Sequence, residues 1–158
     1  MPFREAIDAD LPALAALYAE AVRAAGPAYY TPEQVETWAT AAGLPTFRRL
    51  VPRPLTLVAE DEFGPAGFAG LAPDGHVASL YVRPDRMRQG IASALLRALL
   101  DHAADQGIER LYTEASALSR PVFERFGFAL DEVERVELRG VAFERYRMVR
   151  RNGTDRQA

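Results

Sequence analysis

The chain has 158 residues, enough for one domain with a proper core and too few for two comfortable ones. Hydrophobic residues make up 49% and charged residues 26%, the balance of an ordinary soluble globular protein. A formal charge of −3 gives no electrostatic reason to expect a nucleic-acid partner. All 19 basic residues are arginine, which rules out a lysine Schiff base or a lysine general base. With no cysteine there are no disulfides, no thiolate chemistry and no cysteine-based zinc site, and two isolated histidines make no metal cluster. The opening Met-Pro-Phe-Arg-Glu lacks the order of a signal peptide. No apolar run approaches the roughly 18–20 residues of a membrane span, so the cytoplasm is the expected location.

In chain order, residues 3–7 read as a first strand. Asp8 or Asp10 is placed to cap the helix that follows, whose stripe is Leu14, Leu17, Ala21 and Ala25 before Gly26-Pro27 stops it. Thr31-Pro32-Glu33-Gln34 predicts a second helix start: Thr31 caps, Pro32 takes the first position and Gln34 closes a capping box. Trp38 lies inside that helix, Gly43 ends it, and residues 46–50 read as a short helical turn. A β-meander follows over 55–60, 66–71 and 77–83, with turns at 61–64 and at Pro73-Asp74-Gly75. Ile91, Leu95, Leu99 and Ala103 recur every fourth residue and mark a helix to about Gln106, stopped by Gly107. Residues 111–115 form the next strand, and a strand–helix–strand unit implies a right-handed crossover with a parallel pair. Ser119-Arg120-Pro121 opens a short helix that Gly127 ends. Two last strands, 130–138 and 141–149, flank the Arg139-Gly140 turn, and 150–158 read as a polar tail. The expected fold is α/β (α+β mixed): β-α-α-β-β-β-α-β-α-β-β in one domain over 1–149, a mixed central sheet with helices on both faces.

The stretch from Leu80 to Ser93 carries the most chemistry. Leu80, Tyr81 and Val82 end a strand that Pro84 stops, and Gly90 joins the loop to the long helix. The first N–H groups of a helix lack internal partners and carry the positive end of the macrodipole. Gly90 lets a ligand approach the backbone, Ala92 and Ser93 are small, and Arg86 and Arg88 add charge suited to phosphate. A pyrophosphate suits such a terminus. The loop is neither a Walker motif nor a three-glycine dinucleotide fingerprint.

What this stretch resembles is the acyl-CoA loop of the GCN5-related N-acetyltransferases, Gln/Arg-x-x-Gly-x-Gly/Ala after a strand ending Leu-Tyr-Val-x-Pro. Here it reads Met87-Arg88-Gln89-Gly90-Ile91-Ala92 after Leu80-Tyr81-Val82-Arg83-Pro84, with Met87 departing from the first position. Residues 115–128 are similar to the family's Asn-x-x-Ala-x-x-Phe-Tyr-x-x-x-Gly-Phe helix; they match at Gly127-Phe128, with Ser119 near the usual Asn and Phe123 where Tyr is common. Tyr30-Thr31-Pro32-Glu33-Gln34 followed by Trp38 resembles a bacterial branch with Tyr-Ser/Thr-Pro-x-Gln-x-x-x-Trp. The resemblance spans residues 3–149 and shares the element order.

The resemblance implies transfer of the acetyl group of acetyl-CoA, a cosubstrate, to a primary amine by direct attack on the thioester, without a metal. It implies that the strands ending at Val82 and Ala115 splay around the pantetheine arm, that Leu80 and Val82 bond it through their backbone, and that Arg88, Gln89, Gly90, Ile91, Ala92 and Ser93 hold the pyrophosphate. Ser119 would touch the pantetheine or the sulfur, and Phe123, unable to donate a proton, would lie close to it. The chemistry needs a free strand N–H near Tyr81 or Val82 to polarise the carbonyl and a route for the amine proton. Glu114 is the first candidate base and Glu60, Asp61 and His76 are weaker ones; Tyr81 is a candidate relay, and Tyr112, or Ser119 or water, is a candidate to assist the leaving thiol in place of Phe123. The acceptor pocket is expected between the first two helices and the last hairpin, lined by Tyr29, Tyr30 and Trp38. The acceptor is a small-molecule or peptide amine, and the chain a monomer or homodimer without a nucleic-acid or membrane partner. A poorly catalytic acyl-CoA sensor and a protein-interaction module remain open alternatives.

Overall fold

A computed structural model describes residues 2–152. The strands are β1 (Phe3–Glu5), β2 (Leu55–Asp61), β3 (Gly64–Leu71), β4 (Val77–Val82), β5 (Arg110–Ala115), β6 (Ala129–Leu138) and β7 (Val141–Arg151). The helices are α1 (Leu11–Ala25), α2 (Pro32–Thr40), α3 (Ile91–Asp105) and α4 (Arg120–Arg125). This is the expected element order and the expected mixed α/β class. Among the described residues no helix is long and apolar enough to cross a membrane.

The strands divide into two antiparallel sheets, β1-β2-β3-β4 and β5-β7-β6. The expected parallel pairing of β4 with β5 contracts to one bridge, His76 with Tyr112. The bridge is held locally. Gly75, at φ 99°, lies so close to Arg110 that a Cβ would come within 2.2 Å of that residue's carbonyl oxygen. Only glycine permits this approach, and through it the Tyr112 N–H reaches the Gly75 carbonyl at 3.1 Å. The Thr113 hydroxyl adds a bond to the Val77 carbonyl at 2.9 Å. Beyond these contacts the strands part.

Helices cover both faces. Leu95, Leu96 and Leu99 of α3 are fully buried in one cluster with Leu111, Met148 and Phe123. On the other face Leu14 and Val22 of α1 and Val35 of α2 share a cluster with Val58 and Phe68. β3 runs between the two clusters and is buried along six consecutive residues, the pattern of a strand covered on both faces.

The capping box forms: the Gln34 N–H donates to the Thr31 hydroxyl at 3.1 Å, and the Thr31 N–H to the Gln34 side chain at 3.0 Å. Asp10 does something else than expected. Its carboxylate takes the Ile7 N–H at 2.7 Å and both terminal nitrogens of Arg4 at 2.8 Å, and neither Asp8 nor Asp10 makes a side-chain cap on α1. β1 is shorter than expected, and β7 runs longer, taking in Arg150 and Arg151, both assigned to the tail by the sequence reading. Asn152 then donates its N–H to Glu109. The rest of that tail, 153–158, lies outside the described residues.

Candidate active site

β4 pairs with β3 on one edge only. The Arg83 N–H bonds the Ala66 carbonyl at 2.8 Å, and Tyr81 stands opposite Phe68. Main-chain groups alternate along an antiparallel strand, so Tyr81 turns its N–H toward β3, while Leu80 and Val82 turn theirs to the open edge facing β5. Of the two residues expected to offer a free strand N–H, Tyr81 is therefore excluded, while Val82 stays open together with Leu80. The side chains of Leu80 and Val82 join the α3-side core, whereas Tyr81 packs on Tyr18 and Phe68 on the opposite face. Burial pushes the Tyr81 phenol up to about 12, so at neutral pH it is a donor and not a base.

The open edge leads into the 83–93 loop. Asp61 organises it: Arg83 and Arg86 both bond its carboxylate, and these guanidiniums hold Asp61 well below the usual carboxylate range. Asp61 is thus an anchor and not a base, and Arg86 is already paired instead of free for an anion. Gln89 bonds the Arg86 Nε at 2.9 Å and reaches the Asp85 carbonyl. Arg88 makes no ion pair among the described residues and takes φ 63°, a conformation uncommon for a side-chain-bearing residue. Gly90 follows at φ 83° as the residue before α3. The first α3 bond runs from the Ala94 N–H to the Gly90 carbonyl, which leaves the N–H groups of Ile91, Ala92 and Ser93 without helical partners. The Ile91 side chain is buried, so it anchors the helix while its main chain faces the loop.

At the closed end of the two strands a side-chain network crosses from one sheet to the other. Glu114 Oε1 lies 2.8 Å from His76 Nε2. The His76 ring stacks on Tyr112 at 4.8 Å between centroids, and the Tyr112 hydroxyl donates to Asp74. The hydrogen bond to His76 lowers the Glu114 pKa against the opposing effect of burial, so the carboxylate is ionised at neutral pH. Asp74 pushes Tyr112 up to about 12. His76, ranked below Glu114 by sequence, is its direct partner. Glu60 is bound to Arg4 on the far edge of β2.

Ser119 and Phe123 stand at the start and in the middle of α4. The Ser119 hydroxyl takes the Ser116 N–H at 3.1 Å and lies 3.2 Å from the Ser116 hydroxyl. Phe123 is only 2% exposed, its ring edge-on to Phe128 at 5.1 Å. The position is packed core, not a surface waiting for a tyrosine hydroxyl.

A pocket of about 350 Å³ lies where an acceptor site was expected, between the α1–α2 connection and the β6–β7 hairpin. Tyr29 and Tyr30 line it. Trp38 does not; it packs edge-on against Tyr30 at 5.3 Å. The Tyr30 hydroxyl accepts the Ala117 N–H at 2.9 Å, tying the α1–α2 connection to the loop before α4, and burial raises its pKa. Sequence reasoning missed Arg135, Phe143, Glu144 and Tyr146 on the pocket wall. The signal lay in the period-2 alternation of the last strand, where Glu144 and Tyr146 share a face. Glu114 is not among the lining residues.

Comparison with known proteins decides the family. A family model described as an acetyltransferase (GNAT) domain matches residues 27–150. The chain is a GCN5-related N-acetyltransferase. It is 30% identical over 139 residues to the uncharacterized N-acetyltransferase YafP of Escherichia coli K12, covering 88% of each chain. Its fold superimposes on a GCN5-related N-acetyltransferase from Rhodopseudomonas palustris with TM-score 0.88 and 27% identity, covering 96% of this chain and 95% of that one. The PaiA N-acetyltransferase of Thermoplasma acidophilum, solved with coenzyme A, shares the fold at TM-score 0.77 and 16% identity over 96% of this chain and 98% of that one.

The enzyme is accordingly an acetyl-CoA-dependent N-acetyltransferase, with acetyl-CoA as cosubstrate. Its residues fit that molecule on physical grounds. An open strand edge with unpaired main-chain donors suits an amide-bearing arm, and a glycine-led helix N-terminus beside an unpaired arginine suits a pyrophosphate.

Proposed function

We propose that this GCN5-related N-acetyltransferase transfers the acetyl group to a primary amine by direct attack on the thioester, in one domain formed by residues 2–151. The observation that carries the reading is the free β4 edge followed, after the loop 83–90, by the open α3 N-terminus. Leu80 and Val82 bond the pantetheine arm through their main chain. Arg88, Gln89 and Gly90, with the N–H groups of Ile91, Ala92 and Ser93, hold the pyrophosphate. The acyl carbonyl is polarised by the open N–H of Leu80 or Val82, a donor fixed by the strand before reaction begins. Tyr81, neutral and half-buried, supports β4 from behind. Ser119 keeps the loop before α4 in place, and Phe123 forms apolar floor.

Acetyl-CoA supplies an activated acyl carbon and a thiolate leaving group. The amine nitrogen bonds to the acyl carbon, the C–S bond breaks with its electron pair going to sulfur, and one amine proton leaves. Glu114 takes part in that proton transfer through His76. The ionised carboxylate accepts from Nε2–H and leaves Nδ1 as the basic nitrogen of the ring. A carboxylate with a lowered pKa is a weak proton sink by itself, so Glu114 acts by orienting the His76 ring. The acceptor enters the Tyr29–Tyr30 pocket, and Trp38 supports Tyr30 from outside it. The enzyme works in the cytoplasm as a monomer or homodimer.

The test is thiol release from acetyl-CoA with a panel of amines, wild type against Glu114→Gln and His76→Gln. Amine-dependent release that both variants lose, with coenzyme A binding retained, is the expected result. Release independent of any amine would contradict acetyl transfer, and full turnover in both variants would remove the couple from the mechanism.

A further inference from the structure

The two faces of the β6–β7 hairpin treat the same kind of charge pair differently. On one face Glu134 stands opposite Arg145, and Glu132 opposite Arg147, and both pairs close, at 3.1 and 3.4 Å. On the other face Arg135 stands opposite Glu144 in the same register. This pair is open: among the described residues neither side chain makes an ion pair or a side-chain hydrogen bond. Both are exposed, and both line the 350 Å³ pocket. Closing is the ordinary fate of opposite charges directly across an antiparallel pair. Here a cation and an anion stand in register on the pocket wall without closing on each other.

The rest of the lining combines four aromatic rings with Gln34, Ala117 and Ala142. Tyr29, Tyr30, Phe143 and Tyr146 form the walls, with the Tyr30 and Phe143 rings 6.3 Å apart and the Arg120 guanidinium 4.7 Å from the centre of the Tyr146 ring. The volume is at the small end of the roughly 300–1,000 Å³ range of small-molecule sites.

We propose that the acceptor amine is that of a free α-amino acid with an apolar or aromatic side chain, its carboxylate bound by Arg135, its ammonium received by Glu144 and its side chain set against the tyrosines. This deepens the acetyl-transfer reading and rests on it. A planar guanidinium matches a carboxylate bidentately, which an amide or a bare amine cannot reproduce. The aromatic rings disfavour a second charge on the side chain, because an unpaired charge against a ring face loses hydration without compensation. The bound ammonium loses one proton to solvent to give the attacking amine and a second through His76 as the C–N bond forms, so the product N-acetyl amino acid retains its carboxylate for Arg135 and has lost the charge that Glu144 receives.

The test compares three matched series: leucine, methionine, phenylalanine, tyrosine and tryptophan; their α-amides; and their decarboxylated amines. Thiol release gives kcat/KM for each, and calorimetric titration into the coenzyme A complex gives binding independently of chemistry. At least one free amino acid should exceed its amide and its decarboxylated amine by about tenfold or more in both readouts. Arg135→Gln should bring the acid-to-amide ratio toward one, Arg135→Lys should restore part of it, and Glu144→Gln should weaken binding of all three series. Both positions are exposed on the hairpin, so loss of fold is not the expected cause of any change. Amides or decarboxylated amines bound and used as well as the acids, or an acid-to-amide ratio untouched by Arg135→Gln, would overturn the proposal. No binding by any of the fifteen compounds would also overturn it. Selective, Arg135-dependent binding without turnover would leave the acceptor site standing and break the acetyl-transfer reading instead.

Discussion

The two ends of the β4–β5 pair obey opposite rules. At the start of β4 the strands are fastened by a glycine approach, one parallel bridge, the Thr113–Val77 bond and the His76–Glu114 contact. From Leu80 onward the edge carries no partner strand among the described residues, and its main-chain groups point toward the β5 side. An open sheet edge is ordinarily a hazard that a protein covers. Here the fastening at one end allows the opening at the other to keep a fixed width without a covering strand. The closed end is made of side chains, and the open end offers main chain.

Breaking the closed end chemically should have the largest effect. Glu114→Gln keeps an oxygen that can accept from His76 but removes the charge that supports the imidazole as a base. Turnover should fall about a hundredfold in steady-state assays, with coenzyme A affinity unchanged. A drop in affinity of the same size would mean that the pair only holds the strands apart.

Disturbing the open end comes next. Gly90→Val puts a branched residue at φ 83°, where L side chains are strained, and places it where backbone meets phosphate. A Cβ there meets no protein atom within 4 Å, so the loss should appear chiefly in ligand binding. Calorimetry should record at least about tenfold weaker acetyl-CoA binding, or roughly 1.4 kcal/mol.

Phe123→Tyr probes the floor beneath the opening. A hydroxyl introduced at a 2% exposed ring needs a partner that the packed cluster does not offer. Denaturant unfolding should show a loss of about 1 kcal/mol, and turnover should not rise. A faster enzyme of unchanged stability would place this ring at the reacting sulfur.

The smallest effect concerns pH. Glu114 in the folded protein titrates below its ordinary value of 4.5, chiefly because His76 bonds it. Folding then favours the ionised form, so the pair's contribution is present above the ordinary value and is lost as pH falls through the lower folded value. Acid unfolding of wild type should be steeper below pH 4.5 than that of Glu114→Gln, measured by chemical denaturation at a series of pH values.

Much of the open end is legible in the sequence, because its signals are local. Pro84 stops a strand, Gly90 starts a helix of period four, and Thr31 and Gln34 are three residues apart. The closed end is not legible, since His76 and Glu114 are 38 residues apart and their meeting depends on where β5 lands. The same distance problem hides Asp61, whose two arginines lie 22 and 25 residues on and turn a candidate base into a loop anchor. Asp10 misled for a related reason: a capping residue type in the right place was claimed by Arg4 on the neighbouring strand. Phe123 was visible as a departure from a motif, but only packing tells that its ring is enclosed.

The central claim is that the β4 edge beyond the closed end is the cosubstrate's binding rail, and residue-resolved amide exchange on addition of acetyl-CoA tests it most directly. The account predicts new protection at Leu80 and Val82 and at Ile91 to Ser93, with no change at Tyr81, whose N–H is already committed to β3. Unchanged exchange at Leu80 and Val82 under saturating acetyl-CoA would contradict it.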